Sequence, residues 1–265
     1  MAIVAQLVRA LDCGSKCRGF DPRRSPMFFW QAIILGIVQG ITEFFPVSSS
    51  AHLNFVRHLL GIEGNWLYFD LACHAGTWLA LAYFLRREIL ATLCSVRQIA
   101  LFTLALIPLV PAYFLLKPLF SSFSPGYFLL ATSLLLFLAS RTYNLSPKKT
   151  QNVIFIGTMQ AMALLPGLSR SGSTIAAARF CGWQWLDAAR FSFLLAVPTI
   201  LGGEILESYK IGFKLDEMCL VGFLTSFVVG LLAVRFVFRI YERGIVKPFA
   251  WYCLGFGLLI LWLKN

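Results

Sequence analysis

The sequence predicts an all-α polytopic membrane protein, with six transmembrane helices and two re-entrant helical hairpins in an inverted-topology repeat. Of its 265 residues, 58% are hydrophobic and only 13% are charged. A soluble domain has about 45–50% apolar and about 25% charged residues, so this composition excludes most soluble enzymes and the disordered and fibrous classes. Six long apolar segments predict the transmembrane helices, and two apolar regions with a polar break predict the hairpins.

The net charge of +11 has to be explained within this apolar chain. Basic residues interleaved with aromatic ones in a polar context would indicate nucleic-acid binding, but the sequence has no such stretch. In a membrane protein an excess of Lys and Arg is typical of cytoplasmic loops and of contact with anionic lipid. We therefore expect the bilayer as a partner and no nucleic acid, and the sequence leaves a homo-oligomer open.

The first 26 residues differ from the rest because they are basic and contain no long apolar run. A secretory signal would need an apolar stretch of about 7–15 residues, so we do not expect one here. The stretches AQLVRALDCGS and GFDPRRSP resemble the translation product of a transfer-RNA gene, which predicts Met27 as the true initiator. The alternative is a basic cytoplasmic tail. The membrane domain is then 27–265, with repeat halves at about 27–145 and 146–265.

Six segments have the length of about 17–25 apolar residues that a transmembrane helix requires. Two further apolar regions, 28–61 and 151–182, are interrupted by PVSSSAH at 46–52 and by PGLSRSGST at 166–174. Proline ends a helix, so each region is predicted to form two short helices that meet at a polar turn inside the membrane. The six segments are approximately 67–85, 99–116, 123–140, 189–206, 218–234 and 248–263.

The order of hairpin, three spans, hairpin, three spans indicates an internal duplication. Gln39 and Gln160 occupy matching places 121 positions apart, in the similar stretches GIVQ and GTMQ. Three crossings are an odd number, so the second half is expected to insert upside down, with both breaks near the midplane.

The loops on the two faces carry unequal numbers of basic residues, 12 against five. Cytoplasmic loops are enriched in Lys and Arg, so the richer face is predicted to be cytoplasmic. Its members are Arg86, Arg87, Arg97, Arg141, Lys148, Lys149, Arg179, Arg190, Arg235, Arg239, Arg243 and Lys247, and the opposite face has Arg57, Lys117, Lys210, Lys214 and Lys264.

The first hairpin carries ionisable residues, which are costly in the hydrocarbon and therefore indicate function. Gln39 and Glu43 share a helix face, and Ser48 and Ser49 precede His52 by about one turn on the second short helix. A carboxylate, hydroxyls and an imidazole can thus surround one small volume. The alternative is that a serine only caps the helix and His52 is a satisfied core histidine.

In the second hairpin Arg170 stands between Ser169 and Ser171, with glycines on either side. Small residues before a helix leave backbone N–H groups free for an anion, and a guanidinium matches two phosphate oxygens. Arg170 has no acid nearby in sequence, so its partner is expected to be a ligand anion or Glu43.

Together these residues suit phosphoryl transfer on a phosphate-bearing lipid, with Ser49 as nucleophile and His52 handling its proton. A carrier that flips a lipid phosphate is the second hypothesis, and a channel or structural protein ranks last. Asp70 and His74 lie one turn apart and either line the entry to the site or pair with each other. Residues 204–214, with two Glu and two Lys, are expected to form a solvated loop.

Two motifs carry a family resemblance that covers essentially 27–265. QGITEFFPVSSSAHL at 39–53 resembles the (E/Q)xxxE signature and the following SS(T)GH stretch of the bacterial undecaprenyl-diphosphatases, or bacitracin-resistance proteins, and PGLSRSGST at 166–174 matches their PGxSRSxxT signature. The resemblance implies hydrolysis of undecaprenyl diphosphate, a polyprenyl diphosphate lipid, to the monophosphate for peptidoglycan synthesis. It also implies a divalent cation, Mg²⁺ or Ca²⁺, in the bacterial inner membrane with the site facing the extracytoplasmic side.

The resemblance also assigns residues. It implies catalytic roles for Glu43, Ser49, His52 and Arg170 and substrate contacts from the remaining motif positions. Glu43 is expected either to orient His52 or to help hold the cation, with Gln39 as the other candidate metal ligand. This sequence departs from the family in having Gln39 for the commoner Glu, Ser50 for Thr and Ala51 for Gly, where a left-handed backbone would be penalised. The substrate contacts are Gln39, Ser48, Ser50, Ser169, Ser171 and Thr174.

Overall fold

The computed structural model describes residues 27–62, 64, 66–116, 123–142, 150–211 and 216–264, and within this part the regular secondary structure is entirely helical. The 26-residue N-terminal segment, and the expectation attached to it, lie outside the described residues. The helices are α1 (Phe29–Thr42), α2 (Ser49–Leu59), α3 (Leu67–Phe84), α4 (Arg86–Leu93), α5 (Val96–Leu106), α6 (Leu109–Leu116), α7 (Pro125–Ala139), α8 (Thr150–Met162), α9 (Arg170–Phe180), α10 (Trp185–Ile211), α11 (Glu217–Arg243) and α12 (Lys247–Lys264).

Both broken apolar regions fold as two short helices, which confirms that part of the prediction. The first pair, α1 and α2, is separated by a turn that contains Pro46, and the second pair, α8 and α9, by a turn that contains Pro166. The 14 residues of α1 rise about 21 Å, less than the hydrocarbon thickness of about 30 Å. None of these four helices can therefore cross a bilayer alone.

Three helical stretches of the described chain are long and apolar enough to cross a membrane, and the protein is a multi-pass membrane protein. They are Val96–Leu116, Trp185–Lys210 and Glu217–Arg243. The first consists of α5 and α6 in series, with Pro108 at the junction. Large apolar side chains lie on the outside of the molecule, such as Leu115 and Trp262, which are more than 70% exposed. Such a surface suits lipid and not water.

The structure corrects two expectations about charged residues. Glu204, Glu207 and Lys210 lie within α10 and not in a loop, because the helix continues through an apolar stretch, and Glu207 pairs with Lys210 at 2.5 Å. Lys214 lies outside the described residues. Arg179, counted among the loop residues, is buried and donates to backbone carbonyls of Trp183 and Thr142. Its guanidinium therefore bonds inside the protein and is not a loop charge.

The helix that opens each hairpin packs against a long apolar helix from the other half of the sequence. Helix α1 contacts α11, where a Cβ on Gly36 would lie 2.8 Å from Cβ of Thr225. Helix α8 contacts α5, where a Cβ on Gly157 would lie 2.1 Å from the carbonyl oxygen of Ala105. Gly36 and Gly157 are the first residues of the repeated GIVQ and GTMQ stretches, 121 positions apart. The two halves are therefore interlocked through equivalent close contacts.

Substituting Gly157 should weaken this interlock. The Gly157→Ala variant would place its methyl group against rigid backbone, which costs about 1–3 kcal/mol, whereas Gly255→Ala in α12 meets open space and should be neutral or slightly stabilising. Thermal unfolding of both variants in detergent tests this expectation. A Gly157→Ala variant as stable as the Gly255→Ala control would show that the contact is absent.

Candidate active site

The turns of the two hairpins meet at the carboxylate of Glu43. This residue follows α1 and is only 8% exposed. Its Oε1 accepts a hydrogen bond from Nη2 of Arg170 at 2.5 Å, and its Oε2 accepts one from Oγ of Ser49 at 2.8 Å. Nε2 of Gln39, one turn earlier on α1, donates to Oε2 at 3.0 Å. One carboxylate thus joins three of the sequence-derived candidates.

Ser49 and Arg170 reach Glu43 from the start of the second helix of each hairpin. Ser49 is the first residue of α2 and Arg170 the first of α9, and they are 121 positions apart. The first N–H groups of a helix lack intrahelical partners and carry partial positive charge, which favours a nearby anion. Two helix N-termini and a guanidinium therefore converge on one carboxylate.

The second turn is fixed by close contacts with α7. Gly167 has a φ of +103°, and a Cβ there would lie 2.3 Å from the carbonyl oxygen of Pro125, so only glycine fits. The backbone N–H of Ser169 donates to Oγ1 of Thr132 at 3.1 Å, and its own Oγ caps α9 by accepting from N–H of Gly172 at 3.1 Å. These contacts hold the start of α9, and hence Arg170, in place.

Two further hydroxyls of the second motif, those of Ser171 and Thr174, have structural contacts, whereas the buried Oγ of Ser173 has no partner among the described residues. Oγ of Ser171 donates to the carbonyl of Phe45 at 3.3 Å, which joins α9 to the first turn. Thr174 lies one turn further on, where its hydroxyl is 2.6 Å from Oγ of Ser192 in α10. In this structure, Ser171 links the two hairpins and Thr174 links α9 to α10.

The first turn is strained at Ser48. Its φ of +67° lies in the left-handed region, and its side chain caps no helix. Its Oγ lies 3.3 Å from Oγ of Ser50. Ala51, where a left-handed backbone would be penalised, lies inside α2 and meets no such penalty. The alternative that Ser48 only caps the helix is therefore wrong, and the left-handed residue is Ser48, three positions before Ala51.

His52 is held by groups other than Ser49. Its Nδ1 lies 2.8 Å from the carbonyl oxygen of Ser48, and its Nε2 lies 2.7 Å from the hydroxyl of Tyr252 in α12. The imidazole stacks on the rings of Tyr252 and Phe256, with centroids 5.6 and 4.3 Å away. The expected Ser49–His52 pair is not formed, because α2 directs the imidazole toward α12 and the Ser49 hydroxyl toward Glu43.

His74 belongs to the site, although its role could not be predicted from the sequence. Its Nδ1 lies 2.9 Å from Nε2 of Gln39 and 3.6 Å from Oε2 of Glu43. The amide nitrogen can only donate, so Nδ1 accepts. The suggested Asp70–His74 pair is absent, since Asp70 forms an ion pair with Arg57. The available signal in the sequence was a histidine in an apolar span. Its partner Gln39, 35 positions earlier, could not be identified from a local pattern.

Two buried polar atoms at the site have no hydrogen-bond partner among the described residues. They are Nη1 of Arg170 and Oε1 of Gln39. Leaving a buried donor or acceptor unsatisfied costs about 1–3 kcal/mol, so such atoms indicate a place for a ligand. The free guanidinium nitrogen can bind an anion, and the free amide oxygen can bind a cation.

The residues fit a divalent cation that is shared with a phosphate-bearing substrate. In the described part of the chain no three His, Cys, Asp or Glu side chains are grouped for a metal ion. Magnesium, however, is commonly held by one or two carboxylates together with substrate phosphates. Glu43 and the uncommitted oxygen of Gln39 supply one carboxylate and one neutral oxygen ligand.

Known proteins with similar sequences identify a family. The model of Bacitracin resistance protein BacA matches residues 32–259. A protein of Protochlamydia amoebophila is 38% identical over 251 residues, which cover 88% of this chain and 97% of the relative. One of Methanobrevibacter smithii is 37% identical over 265 residues, with coverages of 87% and 95%, and one of Alcanivorax borkumensis is 36% identical over 267 residues, with coverages of 89% and 100%. All three relatives are named undecaprenyl-diphosphatase.

The Glu43–Arg170 contact should couple the two hairpins energetically. Replacing one partner of such a pair leaves a charge uncompensated and should cost about 3 kcal/mol, so Glu43→Gln and Arg170→Gln are each expected to lower stability clearly. The loss of stability in the double variant should be smaller than the sum of the two single losses by about 1 kcal/mol or more. The free energies of unfolding of the wild type, the two single variants and the double variant, measured in mixed micelles, give this coupling energy.

The exposed pair Glu207–Lys210, also at 2.5 Å, is the matched control, and Glu207→Gln should cost less than about 1 kcal/mol. Strictly additive effects of Glu43→Gln and Arg170→Gln would contradict the coupling.

Proposed function

The chain belongs to the family of Bacitracin resistance protein BacA, and from this premise we propose that it hydrolyses undecaprenyl diphosphate to undecaprenyl phosphate and inorganic phosphate. The product is the lipid carrier that peptidoglycan synthesis consumes. The observation that carries the proposal is the meeting of Ser49 and Arg170 at Glu43, within a chain 36–38% identical to several relatives named for this activity.

The membrane arrangement that we propose is six spans and two re-entrant hairpins, in two halves of opposite orientation. Three points support it: the hairpin helices are too short to cross, each packs on the other half, and α2 and α9 begin at equivalent positions. The uneven distribution of basic residues supports a cytoplasmic location for the face with most of the arginines. The protein would then lie in the bacterial inner membrane with its active site open to the extracytoplasmic side.

Substrate binding begins with the diphosphate at the two helix N-termini. Nη1 of Arg170 is the guanidinium nitrogen without a partner, while Nη2 is held by Glu43, so the side chain is already oriented before substrate arrives. Preorganised donors lose little entropy on binding, and phosphoryl transfer depends mainly on such positioning and charge stabilisation. The backbone N–H groups at the starts of α2 and α9 add donors for the phosphate oxygens.

The chemical step uses the contact between Ser49 and Glu43. Oγ of Ser49 attacks the terminal phosphorus, the phosphoanhydride bond breaks, and undecaprenyl phosphate leaves with the bonding electrons. The hydroxyl proton passes to the carboxylate of Glu43, 2.8 Å away, and water then hydrolyses the phosphoserine. A protein that only flips a lipid phosphate across the bilayer does not need a serine hydroxyl bonded to a carboxylate. This contact therefore favours the hydrolase over the flippase hypothesis.

We assign His52 and His74 to support this centre. His52 bonds the carbonyl of Ser48 and so holds the strained turn that precedes Ser49. His74 holds the amide of Gln39, which in turn holds Glu43. The proton-accepting role first expected for His52 therefore passes to Glu43.

A divalent cation, Mg²⁺ or Ca²⁺, is part of the proposal, with Glu43 and Oε1 of Gln39 as its protein ligands. When bound, the ion would neutralise charge on the diphosphate oxygens. Gln39 in place of Glu makes the protein contribution less negative, so substrate oxygens would supply most of the coordination.

Removing the Ser49 hydroxyl should abolish most activity without loss of the fold. We expect Ser49→Ala to reduce phosphate release from undecaprenyl diphosphate by about 10²–10⁴-fold, because the nucleophile is lost while Arg170 still binds the substrate. Phosphate release by the purified protein in detergent, with Mg²⁺ present, measures this.

Ser140→Ala is the matched control, since among the described residues its hydroxyl bonds the carbonyl of Phe137 in the helix that it follows, and it should keep wild-type activity. Parallel assays with a chelator should show loss of phosphate release in the wild-type protein. Near wild-type release by Ser49→Ala would show that another group attacks phosphorus.

A further inference from the structure

A charged cavity lies away from Glu43, between the end of α3, the start of α10 and the C-terminal part of α11, and it is open to the surface, with its arginines exposed. Its volume is about 390 Å³. None of its lining side chains forms a hydrogen bond or ion pair with the residues at Glu43. The lining residues are Phe84, Leu186, Arg190, Arg235, Phe238, Arg239 and Glu242.

Three guanidinium groups surround this cavity without partners of their own. Arg235 and Arg239 are four residues apart on one face of α11, where like charges repel each other, and Arg190 approaches from α10. None of the three forms an ion pair or hydrogen bond in the part of the chain that the structure describes, and the same holds for Glu242. The cavity therefore has a net charge of about +2 that an anion would relieve.

The rest of the lining is apolar and adjoins the lipid-facing surface. The rings of Phe84 and Phe238 contact each other, with centroids 5.1 Å apart, and Leu186 completes the wall. On the same part of α11, Leu232 and Phe236 are more than half exposed. A ligand with both an anionic group and an apolar chain can therefore satisfy the cavity, whereas free phosphate would use only the arginines.

We propose that this cavity binds the phosphate group of an anionic membrane lipid. Guanidinium groups match phosphate oxygens two at a time, and Arg190, Arg235 and Arg239 approach from two different helices. The acyl chain would lie along Phe238 toward the exposed apolar side of α11. The site is independent of the proposed hydrolysis, because it shares no residue with the Glu43 centre.

Lipid binding to the purified full chain tests the proposal. Dioleoylphosphatidylglycerol, titrated against the protein in neutral detergent and followed by native mass spectrometry, should bind more tightly than dioleoylphosphatidylcholine. Arg235 and Arg239 are two of the three guanidinium groups of the cavity, so the double variant Arg235→Gln/Arg239→Gln should weaken phosphatidylglycerol binding at least about tenfold. The single variant Arg190→Gln, on α10, should also weaken phosphatidylglycerol binding. It replaces the double variant as the test if the double variant misfolds.

Arg243→Gln is the matched control, because Arg243 is exposed in the last turn of the same helix but does not line the cavity. It should bind the lipid as the wild type does, and all these variants should keep phosphate release, which separates this test from that of the hydrolase. Unchanged binding in the double variant and in Arg190→Gln, equal loss in Arg243→Gln, or displacement of the lipid by an equal concentration of inorganic phosphate would overturn the proposal.

Discussion

A buried carboxylate, that of Glu43, has to be neutralised in an apolar protein, and the structure around it follows from this requirement. A charge away from water is tolerated only when it is paired and hydrogen-bonded. Arg170, Ser49 and Gln39 supply those bonds, and two of the three come from the first residues of helices. The same contacts that stabilise Glu43 bring a hydroxyl, a guanidinium and two helix N-termini together, so stability and site geometry have one origin.

The interlocked packing explains why those two N-termini can meet. Each hairpin is too short to reach across a bilayer, and each packs on a long helix from the other half through a glycine, Gly36 or Gly157. These close contacts fix the position of each hairpin against the helix it packs on. The contact of Ser171 with the carbonyl of Phe45 then joins the turns directly. The repeat thus gives two similar helix starts, while the residues at them, Ser49 and Arg170, differ in chemistry.

Composition and proline placement were enough to predict the helical membrane fold and the two broken regions, because apolar length and helix breaking are local properties. The sequence also supplied the residues around Glu43, since ionisable groups are rare in apolar stretches. Of the contacts between distant segments, it suggested that of Arg170 with Glu43, as one of two alternatives, and missed the others. The partner of His52 is Tyr252, 200 positions away, and that of Asp70 is Arg57 rather than His74, which lies one turn from it. Such pairs depend on which helices pack together, and no local pattern encodes that.

The diphosphate is proposed to bind where Arg170 and Ser49 meet Glu43. An experimental structure with an undecaprenyl diphosphate analogue, in which a methylene group replaces the bridging oxygen, tests this binding mode. We expect the terminal phosphate within hydrogen-bond distance of Nη1 of Arg170, with its phosphorus facing Oγ of Ser49. A diphosphate bound elsewhere, with Arg170 and Ser49 contacting only Glu43, would contradict it.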